Sequence, residues 1–162
     1  MTYEDLLIAA DDLGLITKEK DLQAYDGRIK NNRVAIRRSI ATSRKKACVL
    51  AEELGHYFTS YGDLIIDDRS VNAAKQEHRA RLWAYNVQIG LSGLVAAYDA
   101  GCRNLHETAE YLDVPENFLR ACLDSYCKKY GPYTRHNDRI ICFIPHLDVI
   151  TEEEALALTN DW

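Results

Sequence analysis

The sequence lacks long apolar runs, internal repeats and Gly/Ser-rich linkers, and it holds only three prolines in 162 residues. Because its apolar runs are only a few residues long, no segment is expected to cross a membrane as a helix. Acidic residues follow the first methionine where a signal peptide would carry basic ones, so none is expected. Apolar residues make up 47% and charged residues 28%, values that exclude collagen-like and disordered chains. We therefore expect a soluble cytoplasmic protein.

The five cysteines are an odd number and include no C-x-x-C pair. This pattern excludes a zinc ribbon and a disulfide framework, and it indicates reduced, packed thiols. The net charge of −5 argues against nucleic acid as a partner of the whole surface. The charge is nevertheless uneven, since residues 26–46 contain eight Lys or Arg and one acid. That segment is a candidate basic patch.

Length and hydrophobic periodicity predict one compact α+β domain, mainly helical with a small antiparallel sheet. Two long helices should lie in its N-terminal part, and a helical region with the rhythm of a helix-turn-helix should follow them. The predicted parts are the whole domain at 1–162, a core at 1–90 with helices at 42–61 and 71–89, a helical subdomain at 91–131, and a strand with a C-terminal tail at 132–162.

The first long helix carries two polar residues away from its apolar stripe. At about 100° per residue, its Ala, Leu and aromatic side chains fall within roughly 60° of one direction. Glu52 and His56 lie one turn apart on nearly the opposite side. One interpretation is an ordinary solvated face, where such pairs are common. The other is that the two side chains bind something together.

The second long helix places Glu77 within a stripe of alanines. A carboxylate in such a stripe should be buried, and burial without a cation costs several kcal/mol or shifts the pKa. Arg81, one turn further on, is one possible partner through a helix ion pair. The other is a metal ion held jointly with Glu52 and His56, which would make a zinc site between two antiparallel helices.

Both helices resemble those of a known family. Residues 50–57 read L-A-E-E-L-G-H-Y and are similar to the L-A-H-E-L-G-H-H stretch of the ImmA/IrrE metallopeptidases. Residues 75–84 are similar to the family's E-x-E-A-x-x-F-A segment, with Glu77 on its first glutamate. The likeness runs over about residues 26–130 and is closest to the phage and mobile-element branch, in which E-E-L-G-H is a familiar variant. It implies a zincin-like metallopeptidase core followed by a helical subdomain.

The resemblance also implies an activity, that of a zinc-dependent endopeptidase. Glu52, His56 and Glu77 would be the metal ligands, and Glu53 would be the general base that activates a metal-bound water. Glu52 stands where the usual pattern has histidine. Its oxygen and extra negative charge would make the site less selective, so that Mn²⁺ or Fe²⁺ could replace zinc.

Three further residues near these helices have two interpretations each. His78 and Tyr85 are candidate auxiliary residues that would stabilise an oxyanion, with surface exposure or packing as the alternative. Gly55 would allow the two helices to approach each other closely, or it is an ordinary helix glycine.

Alternating apolar and basic residues at 26–37, with two asparagines at the centre, predict a hairpin with its basic residues towards solvent. One interpretation is a solvated face. The other treats Val34, Ala35 and Ile36 as an edge strand that aligns the substrate by β-augmentation, with the nearby arginines attracting an acidic peptide. The hairpin lacks aromatic residues for base stacking, which argues against nucleic acid.

Residues 104–129 have the rhythm of a helix-turn-helix. The second helix of this pair would start near Glu116, whose charge would repel phosphate, so direct DNA binding is not expected. A helical hairpin that packs or binds a protein is the favoured interpretation.

The family resemblance implies a partner as well. The substrate would be a helix-turn-helix repressor of a phage or mobile element, whose cleavage derepresses that element. The alternative is a non-catalytic antirepressor or adaptor that binds the repressor on the same fold. Glu52 is the feature that keeps the alternative open, because a second anionic ligand weakens the Lewis acidity of a bound metal. The sequence leaves the oligomeric state open.

Overall fold

A computed structural model describes residues 1–60 and 71–160. The chain divides into two compact units, Met1–Gln88 and Ile89–Trp162, where the sequence predicted a single domain with a core ending at residue 90. The length of the chain allows one core, but each unit has a sheet of its own. The expected α+β class, mainly helical, is confirmed.

In its described residues, the N-terminal unit combines helices with a three-stranded sheet. Its elements are α1 (Tyr3–Asp12), β1 (Ile16–Lys20), β2 (Gly27–Lys30), β3 (Arg33–Arg37), α2 (Ser43–Ser60) and α3 (Val71–Gln88). The two long helices were predicted at 42–61 and 71–89, of which residue 61 lies outside the described residues. Helix α1 begins with a capping box, because the side chain of Thr2 accepts from the amide of Asp5 and the Asp5 carboxylate accepts from the amide of Thr2.

The sheet of this unit is mixed, with strand order β1-β3-β2. The predicted hairpin is formed by β2 and β3, which are antiparallel with Lys30 opposite Arg33. Strand β1 pairs with the other side of β3 in parallel, from Ile16 opposite Arg33 to Lys20 opposite Arg37. The sequence predicted only an antiparallel sheet, because a hairpin pattern carries no information about a third strand that joins from an earlier part of the chain.

The position of β3 corrects the predicted substrate strand. Val34, Ala35 and Ile36 lie on the central strand, so their backbone groups already pair with β1 on one side and β2 on the other. Val34 and Ile36 are also buried, with 2% and 0% of their surface exposed. The prediction that these residues bind substrate by β-augmentation is therefore wrong. The edge strands of this sheet are β1 and β2.

Helix α2 packs its predicted apolar stripe into the core of the N-terminal unit. Leu50 and Ala51 are fully buried, and Leu54 is 1% exposed. Phe58 belongs to the same stripe but is 45% exposed, and its ring stacks on that of Trp83 in α3 at a centroid distance of 5.0 Å. The stripe thus directs α2 against the sheet and α3, and leaves its polar side free for other contacts.

The C-terminal unit combines helices with a second three-stranded sheet. Its described elements are α4 (Gly90–Asp99), α5 (Leu105–Tyr111), α6 (Glu116–Tyr130), β4 (Tyr133–His136), β5 (Arg139–Cys142), β6 (Asp148–Thr151) and α7 (Glu152–Asn160). The sheet is antiparallel with the order β4-β5-β6. The predicted strand near the end of the chain is β5, and its neighbours β4 and β6 were not predicted, although all three strands have four residues.

The helix pair α5–α6 packs within this unit. Its apolar residues Phe118, Leu119 and Cys122 are buried. Glu116, at the start of α6, accepts a contact from the ring Nδ1 of His106 at 2.7 Å, so its carboxylate is tied to α5. Among the described residues, no helix is both long and apolar enough to cross a membrane.

Candidate metal centre

Helices α2 and α3 approach each other closely at Gly55. A Cβ placed on Gly55 would lie 2.9 Å from the carbonyl carbon of Ala80, and it would overlap the carbonyl oxygen. Ala80 and Ala84, which face α2, are completely buried. The close approach predicted for Gly55 is therefore what the structure has, and it brings the polar side chains near this crossing within reach of one another.

His56 and Glu77 meet across the two helices. The Nε2 atom of His56 lies 3.1 Å from Oε2 of Glu77, and the Nε atom of Arg81 lies 2.8 Å from Oε1 of the same carboxylate. Glu77 thus contacts Arg81, the predicted ion-pair partner, through one oxygen and His56, the predicted fellow metal ligand, through the other. The side chain of Glu77 is 42% exposed, which differs from the burial expected for a residue in the alanine stripe.

Glu52 lies close enough to Arg81 and Glu77 for their charges to affect its pKa, but it is not part of the ion pairs that His56 and Arg81 form with Glu77. Burial raises its pKa above the ordinary value, the charge of Arg81 lowers it, and the charge of Glu77 raises it again. In residues 1–60 and 71–160, no three His, Cys, Asp or Glu side chains converge closely enough to hold a metal ion. The structure therefore brings two of the three predicted ligands together and keeps the third beside them.

The donor pair fits zinc in type and in spacing. Imidazole nitrogen and carboxylate oxygen are both zinc ligands, and two ligands of a tetrahedral zinc lie about 3.4 Å apart when the bonds are about 2.0 to 2.2 Å long. The 3.1 Å between His56 Nε2 and Glu77 Oε2 is close to that separation. A third ligand would come from Glu52 if its side chain turned towards the pair, and carboxylates suit Mn²⁺ as well as zinc.

Glu53 is a residue of α2, and its side chain contacts strand β2. Its carboxylate accepts a hydrogen bond from the backbone N–H of Ile29. Burial raises the pKa of Glu53 to about 7, and the neighbouring negative charges of Glu52 and Glu77 act in the same direction. A carboxyl group that titrates near neutral pH is suited to exchange protons with a substrate or with water.

Gly27 gives the Glu53 side chain its room. A Cβ at Gly27 would lie 2.6 Å from Cγ1 of Val49 and 2.7 Å from Oε1 of Glu53. Sequence reasoning did not identify Gly27 or Ile29, although an isolated glycine within a strand pattern signals a close backbone approach. The edge strand beside α2 is therefore β2, and its backbone holds the side chain predicted to be the base.

The two auxiliary candidates have different surroundings. His78 is exposed on α3, whereas Tyr85 is buried with 4% of its surface accessible. These positions correspond to the alternatives named for them, surface exposure for the first and packing for the second.

Comparison with known proteins identifies the family. The model of the IrrE N-terminal-like domain, a peptidase family, matches residues 6–124. The match includes α2, α3 and all the residues of the candidate metal centre. Neither the curated proteins nor the solved structures gave a significant match. Because the family model covers well over half of the chain, the chain belongs to the IrrE N-terminal-like family of peptidases.

Proposed function

We propose that this protein is a metallo-endopeptidase that cleaves a helix-turn-helix repressor of a phage or mobile element. The single observation that carries the proposal is the 3.1 Å contact between His56 and Glu77 from two helices, with Glu53 three residues before His56 on α2. The membership of a peptidase family supports it. The repressor is the substrate that the phage and mobile-element resemblance implies.

Zinc would be held by His56 and Glu77, with Glu52 as the third ligand, and Mn²⁺ or Fe²⁺ could take its place. Bound there, the metal would supply the positive charge that acidifies water and polarises the peptide carbonyl. Arg81 holds Oε1 of Glu77, which leaves Oε2 directed at His56. The role of Arg81 is therefore to orient a ligand.

Glu53 would act as the general base in this reaction. Its carboxylate takes a proton from the attacking water and then passes it to the amine that leaves when the peptide bond breaks. The N–H of Ile29 orients this carboxylate from strand β2. Because His56 and Glu77 are partly exposed, with 28% and 42% of their side chains accessible, solvent and a peptide can reach them.

Metal content and cleavage together test this proposal. We expect about one zinc per chain in the purified protein by elemental analysis, and its loss in His56→Ala and in Glu77→Ala. The matched control is His78→Ala, since His78 is an exposed histidine next to Glu77 in sequence and should leave the metal content unchanged. Zinc that is absent after reconstitution, or is lost equally in the control, would contradict the site.

A second candidate function is stoichiometric binding of the repressor without cleavage. It is favoured by the ion pair of Arg81 with Glu77, because this pair and the His56 contact satisfy the Glu77 carboxylate without a metal. The variant Glu53→Gln separates the two candidates. A peptidase loses about 10²- to 10⁴-fold in the rate of cleaving the co-expressed repressor, whereas a binding protein keeps full derepression.

A further inference from the structure

The first sheet has an open face that is strongly basic. Alternate residues of β1, β2 and β3 point away from the core, because successive side chains of a strand lie on opposite faces. They form a groove of about 440 Å³, which we call the cationic groove. Its charged members are Lys18, Lys20, Arg28, Lys30 and Arg33.

The strand register makes this groove a defined array. Ala35 lies at the centre of the face, with Lys18 opposite it on β1 and Arg28 opposite it on β2. In the neighbouring row, Arg33 on β3 lies between Ile16 on β1 and Lys30 on β2. Along each strand the side chains of one face are about 6.6 Å apart, so the groove is a few residues long. Small and apolar residues form the floor, and the cations form the walls.

None of the five cations forms an ion pair within 4.0 Å with an acid in residues 1–60 or 71–160. The nearby acids neutralise other basic residues. Asp26 pairs with Arg37 and Lys45, and Asp21 pairs with Arg38. Like charges on neighbouring strands repel one another, so the array carries a cost in the free energy of folding that an anionic ligand would relieve.

The floor of the groove distinguishes between classes of anion. Ile16 is 47% exposed at one end, and Ala35 is partly exposed at the centre. An apolar floor can take up an aliphatic side chain, whereas a phosphodiester backbone has none to place there. No described residue that lines the groove is aromatic, so bases would find nothing to stack on.

We propose that the cationic groove binds an acidic segment of a protein partner, with an aliphatic side chain of that segment on Ile16 and Ala35. This surface goes beyond the proposed peptidase activity and does not depend on a metal. Arg28 and Lys30 line the groove, while the alternate residues of β2, Gly27 and Ile29, lie against Glu53. A segment bound in the groove would therefore lie on the face of the sheet opposite to α2 and Glu53.

Binding of synthetic probes to the full-length protein tests this surface. The probe is a fluorescein-labelled peptide of about twelve residues made of Glu-Leu-Glu repeats, measured by fluorescence anisotropy at low salt. A matched peptide has serine in place of leucine, and a single-stranded DNA of similar length is the third probe. We expect the leucine peptide to bind about fivefold more tightly than the serine peptide, and more tightly than the DNA.

Two variants remove the groove in different ways. Lys18→Gln combined with Arg28→Gln deletes two cations, and Ala35→Glu places a carboxylate at the centre of the array. We expect each to weaken binding of the leucine peptide about tenfold, because several charge contacts of modest strength are lost together. The matched control is Arg120→Gln combined with Lys128→Gln, which makes the same change in net charge on exposed residues of α6. This control should bind within about twofold of the wild type.

The outcomes are separable from those of the metal experiments. Tighter binding of the DNA than of the leucine peptide, lost in the same variants, would assign the groove to nucleic acid and overturn the proposal. An equal loss in the Arg120/Lys128 control, or no binding of the leucine peptide at about millimolar concentration, would also overturn it. Far-UV circular dichroism confirms folding, and if the double variant unfolds, Ala35→Glu carries the test, since its carboxylate lies between Lys18 and Arg28.

Discussion

Replacing Gly55 by alanine tests whether the close crossing of α2 and α3 builds the candidate metal centre. The added Cβ would lie 2.9 Å from the carbonyl carbon and 3.0 Å from the Cα of Ala80, and it would overlap the carbonyl oxygen. All these contacts are with backbone atoms, which cannot rotate away as a side chain would. The helices must therefore separate, and His56 and Glu77 lie on the two helices that move apart.

The magnitude follows from two opposing terms. Alanine gains about 1 kcal/mol over glycine from its greater helix propensity. Overpacking a tight contact costs about 1 to 3 kcal/mol, and rigid backbone neighbours favour the upper part of that range. We therefore expect a net destabilisation of about 1 to 2 kcal/mol. For a chain of 162 residues this lowers the Tm by about 2 to 8 °C.

Thermal unfolding followed by circular dichroism, with zinc content measured on the same samples, is the assay. The control is Gly93→Ala in α4, where the added Cβ would meet only the flexible Leu112 side chain at 3.2 Å. That variant should be neutral or slightly stabilised. If Gly55→Ala is as stable as the wild type and retains its zinc, the close crossing does not govern the site and the reasoning is refuted.

Three further predictions follow from single contacts. If the protein cleaves a repressor as proposed, Gly27→Ala should slow that cleavage and leave the metal content unchanged, because its Cβ would displace Glu53; an unchanged rate in the cleavage assay would contradict the role of this clearance. Lys46→Met should reduce the free energy of unfolding at neutral pH by up to about 1 kcal/mol, since Lys46 Nζ lies 2.7 Å from Glu19 Oε1. The pair lowers the pKa of Glu19 below its ordinary value of 4.5. The stabilisation is therefore present above pH 4.5 and is lost as the pH falls through the lowered pKa. Urea titrations in which wild type and variant differ by the same free energy of unfolding down to about pH 3 would contradict this. The Cys122 thiol is buried and its pKa is raised to about 12, so mass spectrometry should find it unlabelled by iodoacetamide at pH 8 until the protein is denatured.

Periodicity and local chemistry were sufficient for the helices and for the residue types of the site. The apolar stripe of α2 follows from a repeat of about 3.6 residues. Thr2 with Asp5, and Thr151 with Glu154, each form a capping box between residues three apart, in which each side chain accepts from the other's backbone N–H. Glu52, Glu53 and His56 could be chosen because residues 50–57 resemble the family's L-A-H-E-L-G-H-H stretch. Such features depend on neighbours in sequence, so they can be read without a tertiary structure.

The strand partners and the exact contacts of the site depended on tertiary structure. Val34, Ala35 and Ile36 form part of a hairpin in sequence, but β1 pairs with their open side and makes their strand central. Which oxygen of Glu77 contacts His56 and which contacts Arg81 is determined by the packing of α2 on α3 at Gly55. The sequence alone determined the amphipathic helices and their caps, because periodicity and neighbouring side chains specify them, and its resemblance to the family supplied the candidate ligands. Only the tertiary structure decided which strands form the sheet edges, that β2 contacts Glu53, and which cations share the open face of the sheet. Those features are contacts between segments that are far apart in sequence.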